Sequence, residues 1–157
     1  MIKFIRIDYR LLHGQIVVSW LNRYSIDRII IIDDKAGSSK TEKSILKLAK
    51  PSGTKLNIFT VKDALARKIK ISQLKDNTAI IFGNTQSCLE FLREFNSNIH
   101  EVNYGAIPKV NDSKEFDKAL FLTEKDIENS KELINLGYKL YSQQTPSNSS
   151  IDLNKII

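Results

Sequence analysis

A single cysteine, Cys88, leaves no partner for an internal disulfide, which suits a reducing cytoplasm; its place in a helical pattern reads as a small buried side chain. Long hydrophobic runs are missing as well. The most apolar stretch, Ile29 to Ile32, falls far short of the roughly 20 residues that cross a bilayer. Lys3, Arg6 and Asp8 interrupt the apolar N-terminal stretch, so neither an export signal nor a membrane span is expected. Aromatics are not interleaved with the lysines, which are spread over many segments (Lys35, Lys40, Lys43, Lys47, Lys50, Lys55) and mixed with acids. The formal net charge of +6 therefore reads as a solvated basic surface, and a nucleic-acid partner is not expected. There is no nucleotide-binding loop, so no cofactor is expected. There are also no internal repeats, low-complexity tracts or linker. Residues 1–157 are expected to form one domain, long enough to bury a proper core.

What is present is an alternation of strand and helix patterns. Strands are expected at 2–7, 26–32, 55–61, 78–82, 98–102, 118–122 and 138–141, with Ile26 to Ile32 apolar throughout, as in a strand buried on both faces. Helices are expected at 15–22, then after a Ser38 or Ser39 cap, through Ala64 to Lys68, through Cys88, Leu89, Leu92 and Phe95, and from Glu124 to Leu136 under a Thr123 cap, with Gly137 as the stop. The tail from Ser142 is polar and turn-rich. This order predicts an α/β fold: a mostly parallel sheet of about seven strands, helices on both faces, and a ligand site at the strands' carboxyl ends near a switch point. Asp33-Asp34, Gly83-Asn84 and Asn103-Tyr104-Gly105 would then rim the same crevice as the end of the first strand.

That first strand breaks at Asp8 and passes through His13 before the chain turns helical. The first N–H groups of a helix have no intrahelical partners, and the helix dipole adds partial positive charge there, so the spot attracts an anion. A phosphoryl group suits it, and an imidazole can serve as nucleophile near neutral pH. The Asp33-Asp34 pair starts a turn before a helix and reads as structural; no metal site is expected. His100, the other histidine, lacks a partner motif and reads as structural.

The decapeptide Arg6-Ile7-Asp8-Tyr9-Arg10-Leu11-Leu12-His13-Gly14-Gln15 resembles the R-[IV]-D-D-R-L-[IL]-H-G-Q signature of the mannose/fructose/sorbose-class EIIB components of the bacterial phosphoenolpyruvate-dependent sugar phosphotransferase system (PTS). Trp20, Asp33-Asp34, Asn103 and Gly105, Leu122-Thr123-Glu124, Pro146-Ser147 and Asp152-Leu153 agree in order and spacing, so the resemblance covers essentially the whole chain. It implies a cytoplasmic phosphocarrier, associated peripherally with a membrane permease. His13 would take a phosphoryl group from the EIIA component, on Nδ1 in the family, and pass it to a sugar held by the membrane EIIC and EIID components. Two positions depart from the pattern: Tyr9 replaces a second aspartate, and Ala106 stands where a polar residue often follows N-x-G.

Transfer between imidazoles asks chiefly for orientation and charge neutralisation. His13 is accordingly expected to be the catalytic residue. Arg10 would supply a donor fork to the phosphoryl oxygens, and Asp8 would orient Arg10 or the imidazole. The backbone N–H groups of Leu12 to Ile16 would cradle the anion, with Gly14 permitting close approach and Gln15 a further phosphate contact. Two rival classes fit the sequence less well. A histidine phosphatase or phosphoglycerate-mutase-like enzyme needs an arginine next to the histidine and a second histidine, whereas the chain reads Leu12-His13-Gly14. A flavodoxin-like or DNA-contacting module would account for the basic charge but not for the decapeptide.

Overall fold

The computed structural model describes residues 1–157. In chain order the strands are β1 (Ile2–Ile7), β2 (Arg28–Ile32), β3 (Lys55–Phe59), β4 (Thr78–Phe82), β5 (Glu101–Tyr104), β6 (Lys114–Asp117), β7 (Leu120–Leu122), β8 (Lys139–Ser142) and β9 (Ile151–Asp152). The helices are α1 (Gly14–Tyr24), α2 (Asp34–Gly37), α3 (Lys40–Ala49), α4 (Val61–Ala66), α5 (Lys68–Ser72), α6 (Thr85–Glu94) and α7 (Glu124–Asn135), with a 3-10 turn at Leu153–Lys155. Seven strands form one sheet in the order β3-β2-β4-β1-β5-β8-β9, parallel except for β9. No helix is long and apolar enough to cross a membrane.

The isoleucine run of β2 shows why the sheet is covered on both sides. Ile29 and Ile31 face a core shared with Phe4, Val17, Trp20, Leu21 and Leu46, under α1 and α3. Ile30 and Ile32 face the opposite core with Ile5, Ile7, Phe82, Phe91 and Leu133, under α4 to α7. A strand that alternates between two apolar environments needs no polar positions. After β1 the chain leaves to α1 on one face; after β4, its neighbour, it leaves to α6 on the other. Connections that diverge this way open a crevice at the carboxyl ends of the strands.

The helix ends follow the expected capping chemistry. Thr123 and Asp126 form a reciprocal capping box at the start of α7. Ser39, rather than Ser38, caps α3 by accepting from the Glu42 N–H at 3.2 Å. β3 stops at Phe59 because the Thr60 hydroxyl caps α4, accepting from the Asp63 N–H at 3.1 Å.

Residues 118–122, expected as a strand of the main sheet, are not part of it. β7 pairs antiparallel with β6 in a separate hairpin, tied to the loop after β5 by the Ile107 N–H to Ala119 O bond (2.9 Å) and the Phe121 N–H to Ile107 O bond (3.1 Å). The buried Leu120 and Leu122 carry a strand-like apolar pattern, which is the same whether the partner strand is near or distant. The seventh position belongs instead to β9, two residues long and too short to show a period, in the tail read as turns.

Candidate functional site

β1 lies between β4 and β5, and the sheet's hydrogen bonding carries on past its end: Asp8 N–H donates to Phe82 O (2.9 Å) and Gly105 N–H to Ile7 O (2.8 Å). The chain then turns sharply. Leu11 N–H reaches back to Asp8 O (3.0 Å), and Leu11 adopts a left-handed backbone (φ +61°) held by its buried side chain. Gly14, at φ +44°, opens α1 in a backbone conformation that favours glycine, and no protein atom crowds the space beside it.

His13 is the N-cap residue of α1 and is exposed, and its side chain makes no cap bond. The backbone N–H groups of Leu12, His13, Gly14, Gln15 and Ile16 donate to no protein acceptor, and no acidic side chain lies in the helix's first turn. Gln15 is exposed and makes no protein hydrogen bond. Five free donors at a positive helix end form a place for a negatively charged group.

Beside this loop lies a cluster of buried charge. Arg6, on the face of β1 toward α1, is only 1% exposed, and Asp8 2%. The two carboxylate oxygens of Asp8 accept four donors. Oδ1 accepts the Arg10 backbone N–H and Nε, both at 3.0 Å; Oδ2 accepts Arg10 Nη2 and Arg6 Nη2, both at 2.9 Å. Burial alone would raise the Asp8 pKa, but the Arg10 hydrogen bonds and the Arg6 charge outweigh it and hold the carboxyl below its ordinary range. Burial lowers the Arg6 pKa against the opposing pull of Asp8, while the hydrogen bond to Asp8 raises that of Arg10. The Arg10 side chain is 20% exposed, and its Nη1 has no protein partner. Two cations around one anion leave the cluster with a net positive charge.

Asp8 hydrogen-bonds Arg10, and with four donors on its two oxygens it makes no bond to the imidazole. Asn103 joins the cluster, but Asp33-Asp34 and Gly83-Asn84 do not. Asp33 caps α2 (Ala36 N–H, 2.9 Å), Asp34 accepts from Val61 N–H (2.9 Å), and Asn84 caps α6 (Ser87 N–H, 2.8 Å). Tyr9 is 51% exposed; its N–H donates to Ala106 O (3.0 Å), and the Arg10 Cζ lies 5.9 Å from its ring centroid. Where the resemblance has a second carboxylate, this chain therefore sets an aromatic ring beside the arginine. His100 precedes β5, at the amino end of the sheet, while His13 follows the carboxyl end of the parallel β1; the two histidines cannot share a phosphate pocket.

The residue that sequence reasoning missed is Arg6. Its Nη1 donates to Asn103 Oδ1 and to Gln143 O (3.2 Å), and Asn103 Nδ2 also donates to Gln143 O (3.1 Å). An arginine between Ile5 and Ile7 was the available signal: a charge in a strand flanked by core residues needs a buried partner.

Fold and loop define an α/β protein with unpartnered backbone N–H groups and a buried arginine–aspartate cluster at one strand-to-helix turn. The model of the PTS system sorbose subfamily IIB component matches residues 2–157. The chain is 30% identical over 152 residues to the PTS system fructose-specific EIIB component of Bacillus subtilis (strain 168), covering 97% of this chain and 93% of that protein. It is 31% identical over 149 residues to the PTS system sorbose-specific EIIB component of Klebsiella pneumoniae, covering 94% and 90%. The crystal structure of the IIBSor domain of the Klebsiella pneumoniae sorbose permease superposes with a TM-score of 0.91 at 29% identity, over 99% of this chain and 96% of that one. The chain belongs to the sorbose subfamily of PTS IIB components, and so to a family of phosphotransferases.

Proposed function

We propose that this chain is the phosphocarrier of a sugar phosphotransferase system, with His13 as the residue that is phosphorylated. The observation that supports this best is the union of a free imidazole, five unpartnered backbone N–H groups and a net positive arginine–aspartate cluster on one strand-to-helix turn. A neutral ring nitrogen of His13 attacks the phosphorus of a phosphohistidine on the EIIA component. The new N–P bond forms as the donor's N–P bond breaks, and the donor imidazole keeps the electron pair. In the second step a sugar hydroxyl oxygen attacks the same phosphorus and gives its proton to water, while the N–P bond to His13 breaks and the imidazole keeps the electron pair. The sugar is held by the membrane components EIIC and EIID, so the carrier works at the cytoplasmic face of the membrane and touches it only through them.

Neither step demands more of this chain than position and charge. The helix N-terminus and the free edge of Arg10 receive the equatorial oxygens, and Asp8 holds Arg10 by a two-point fork. Gln15, exposed in the first turn, is a further phosphate contact.

Incubation with phosphoenolpyruvate and the upstream phosphotransferase proteins is expected to place on the chain an acid-labile, base-stable phosphate that maps to His13. A label on any other residue, or none, would overturn the assignment. Arg10→Lys retains the charge but loses the planar fork, so single-turnover transfer should slow by about 100-fold, the lower end of what loss of one preorganised donor costs. An unchanged rate would remove Arg10 from the mechanism.

A further inference from the structure

Arg6, 1% exposed, is among the largest side chains withdrawn from solvent, and the transfer steps above do not use it. Its burial is not explained by stability. Removing an ion of this size from water costs several kcal/mol, about as much as a good buried pair returns, and apolar replacements of similar volume are often as stable or more so. Its Nε finds no acceptor at all, a further cost. What the guanidinium does have is a specific arrangement of neighbours.

On one side, Arg6 Nη2 reaches the same Asp8 oxygen that accepts Arg10 Nη2, both at 2.9 Å. A carboxylate gripped from beneath cannot rotate about its Cβ–Cγ bond without losing Arg6, so both of its oxygens stay turned toward the Arg10 fork. On the other side, Nη1 is anchored to Asn103, its register partner across the β1–β5 pair, and to Gln143 O beyond β8. The next residue, Gln144, accepts from Trp20 Nε1 at 2.8 Å, and Trp20 lies in α1, the helix that His13 begins. The Arg6 Cζ sits 6.0 Å from the Trp20 ring centroid. A Cβ at position 105 would overlap the guanidinium, so Gly105 is there to make room for Arg6, not to supply a positive φ.

We propose that Arg6 is a positioning residue for phosphoryl transfer: it locks Asp8, and through Asp8 it fixes the free edge of Arg10 against the loop that carries His13. The proposal rests on the phosphocarrier reading for its rate consequence, while the coupling from Arg6 to Arg10 stands without it.

Two readouts test it on the full chain. In single-turnover transfer from the phosphorylated donor protein, Arg6→Lys should slow the step about 10- to 100-fold, the scale of a small misplacement of a catalytic group, with the half-saturating donor concentration unchanged. In nitrogen-15 NMR of the unphosphorylated protein, the Arg10 Nε–H signal should move toward the position of a free arginine and exchange faster with water. Because Arg6 acts through Asp8, the Arg6→Lys/Asp8→Asn double variant should be no slower than Asp8→Asn alone. Asn103→Ser, which leaves the arginine in place and removes one anchor, should move both readouts in the same direction by a smaller factor and covers the case in which Arg6→Lys does not fold. A folded Arg6→Lys with wild-type transfer, an Arg10 signal unmoved by both variants, or slowdowns that multiply in the double variant would each overturn the positioning role. A wild-type chain that takes no label would overturn the carrier reading instead, and the Arg10 signal would still decide the coupling.

Discussion

His13→Ala is expected to reduce phosphoryl labelling below detection while leaving the thermal unfolding of the protein nearly unchanged. The two readouts separate because the imidazole is exposed and contributes no capping bond to α1, so its loss removes no contact that holds the fold. Surface substitutions of this kind lie within about 0.5 kcal/mol. No other side chain is placed to take over. His100 lies at the opposite end of the sheet. Cys88 is fully buried, and burial pushes its thiol well above the ordinary range, so it offers no thiolate. Labelling is followed by acid-sensitive phosphate counts on wild type and variant under the same donor conditions. Undiminished incorporation in the variant would sink the assignment.

Asp8→Asn is expected to cost about 3 to 5 kcal/mol of stability, measured by urea unfolding at neutral pH, because it leaves the buried Arg6 without a counterion. The shapes are nearly identical, so the effect is electrical. Four donors converge on the two carboxylate oxygens, and an amide offers one oxygen and sets its own N–H groups against the remaining donors. Against a total stability of about 5 to 15 kcal/mol, a loss of this size is large.

The same pair should leave a signature in acid. The Asp8 pKa is lowered in the folded protein, so as pH falls the unfolded chain takes up its proton first. The stability Asp8 contributes is therefore complete above the ordinary aspartate value of about 3.9 and is lost as pH drops from there through the lower folded value. Asp76, also lowered against its partial burial by Lys55 and Arg28, adds to the acid limb of both proteins and cancels in the comparison. The gap between wild type and Asp8→Asn should hold steady down to about pH 4 and close below it. A gap independent of pH across that range would show that Asp8 is not held ionised by its arginines.

Much of the site was legible in the decapeptide because its decisive features are local. A strand pattern ending at Asp8, a turn, and a glycine opening a helix put His13 at a helix N-terminus whatever the rest of the chain does. Asp8 and Arg10, two residues apart in that turn, were within reach of each other for the same reason. The parallel sheet was legible from the alternation of apolar runs with helical periods, and Ile29 to Ile32 showed directly that both faces are covered. The hairpin of β6 and β7 was not, since apolar alternation states that a strand exists and is silent on its partner.

By itself, then, the sequence determined the chemistry on offer, a histidine with free backbone donors and an arginine, because those groups are contiguous and their geometry follows from one turn. Only the tertiary structure decided that Asp8 is buried and shared between two arginines, and which distant groups hold Arg6. Beyond Asp8, two residues on, the partners of Arg6 lie 97 and 137 residues away, brought to it by the register of β1 with β5 and by the exit of β8. Such pairings are settled by the burial of two cores at once, and no local pattern of residues encodes them.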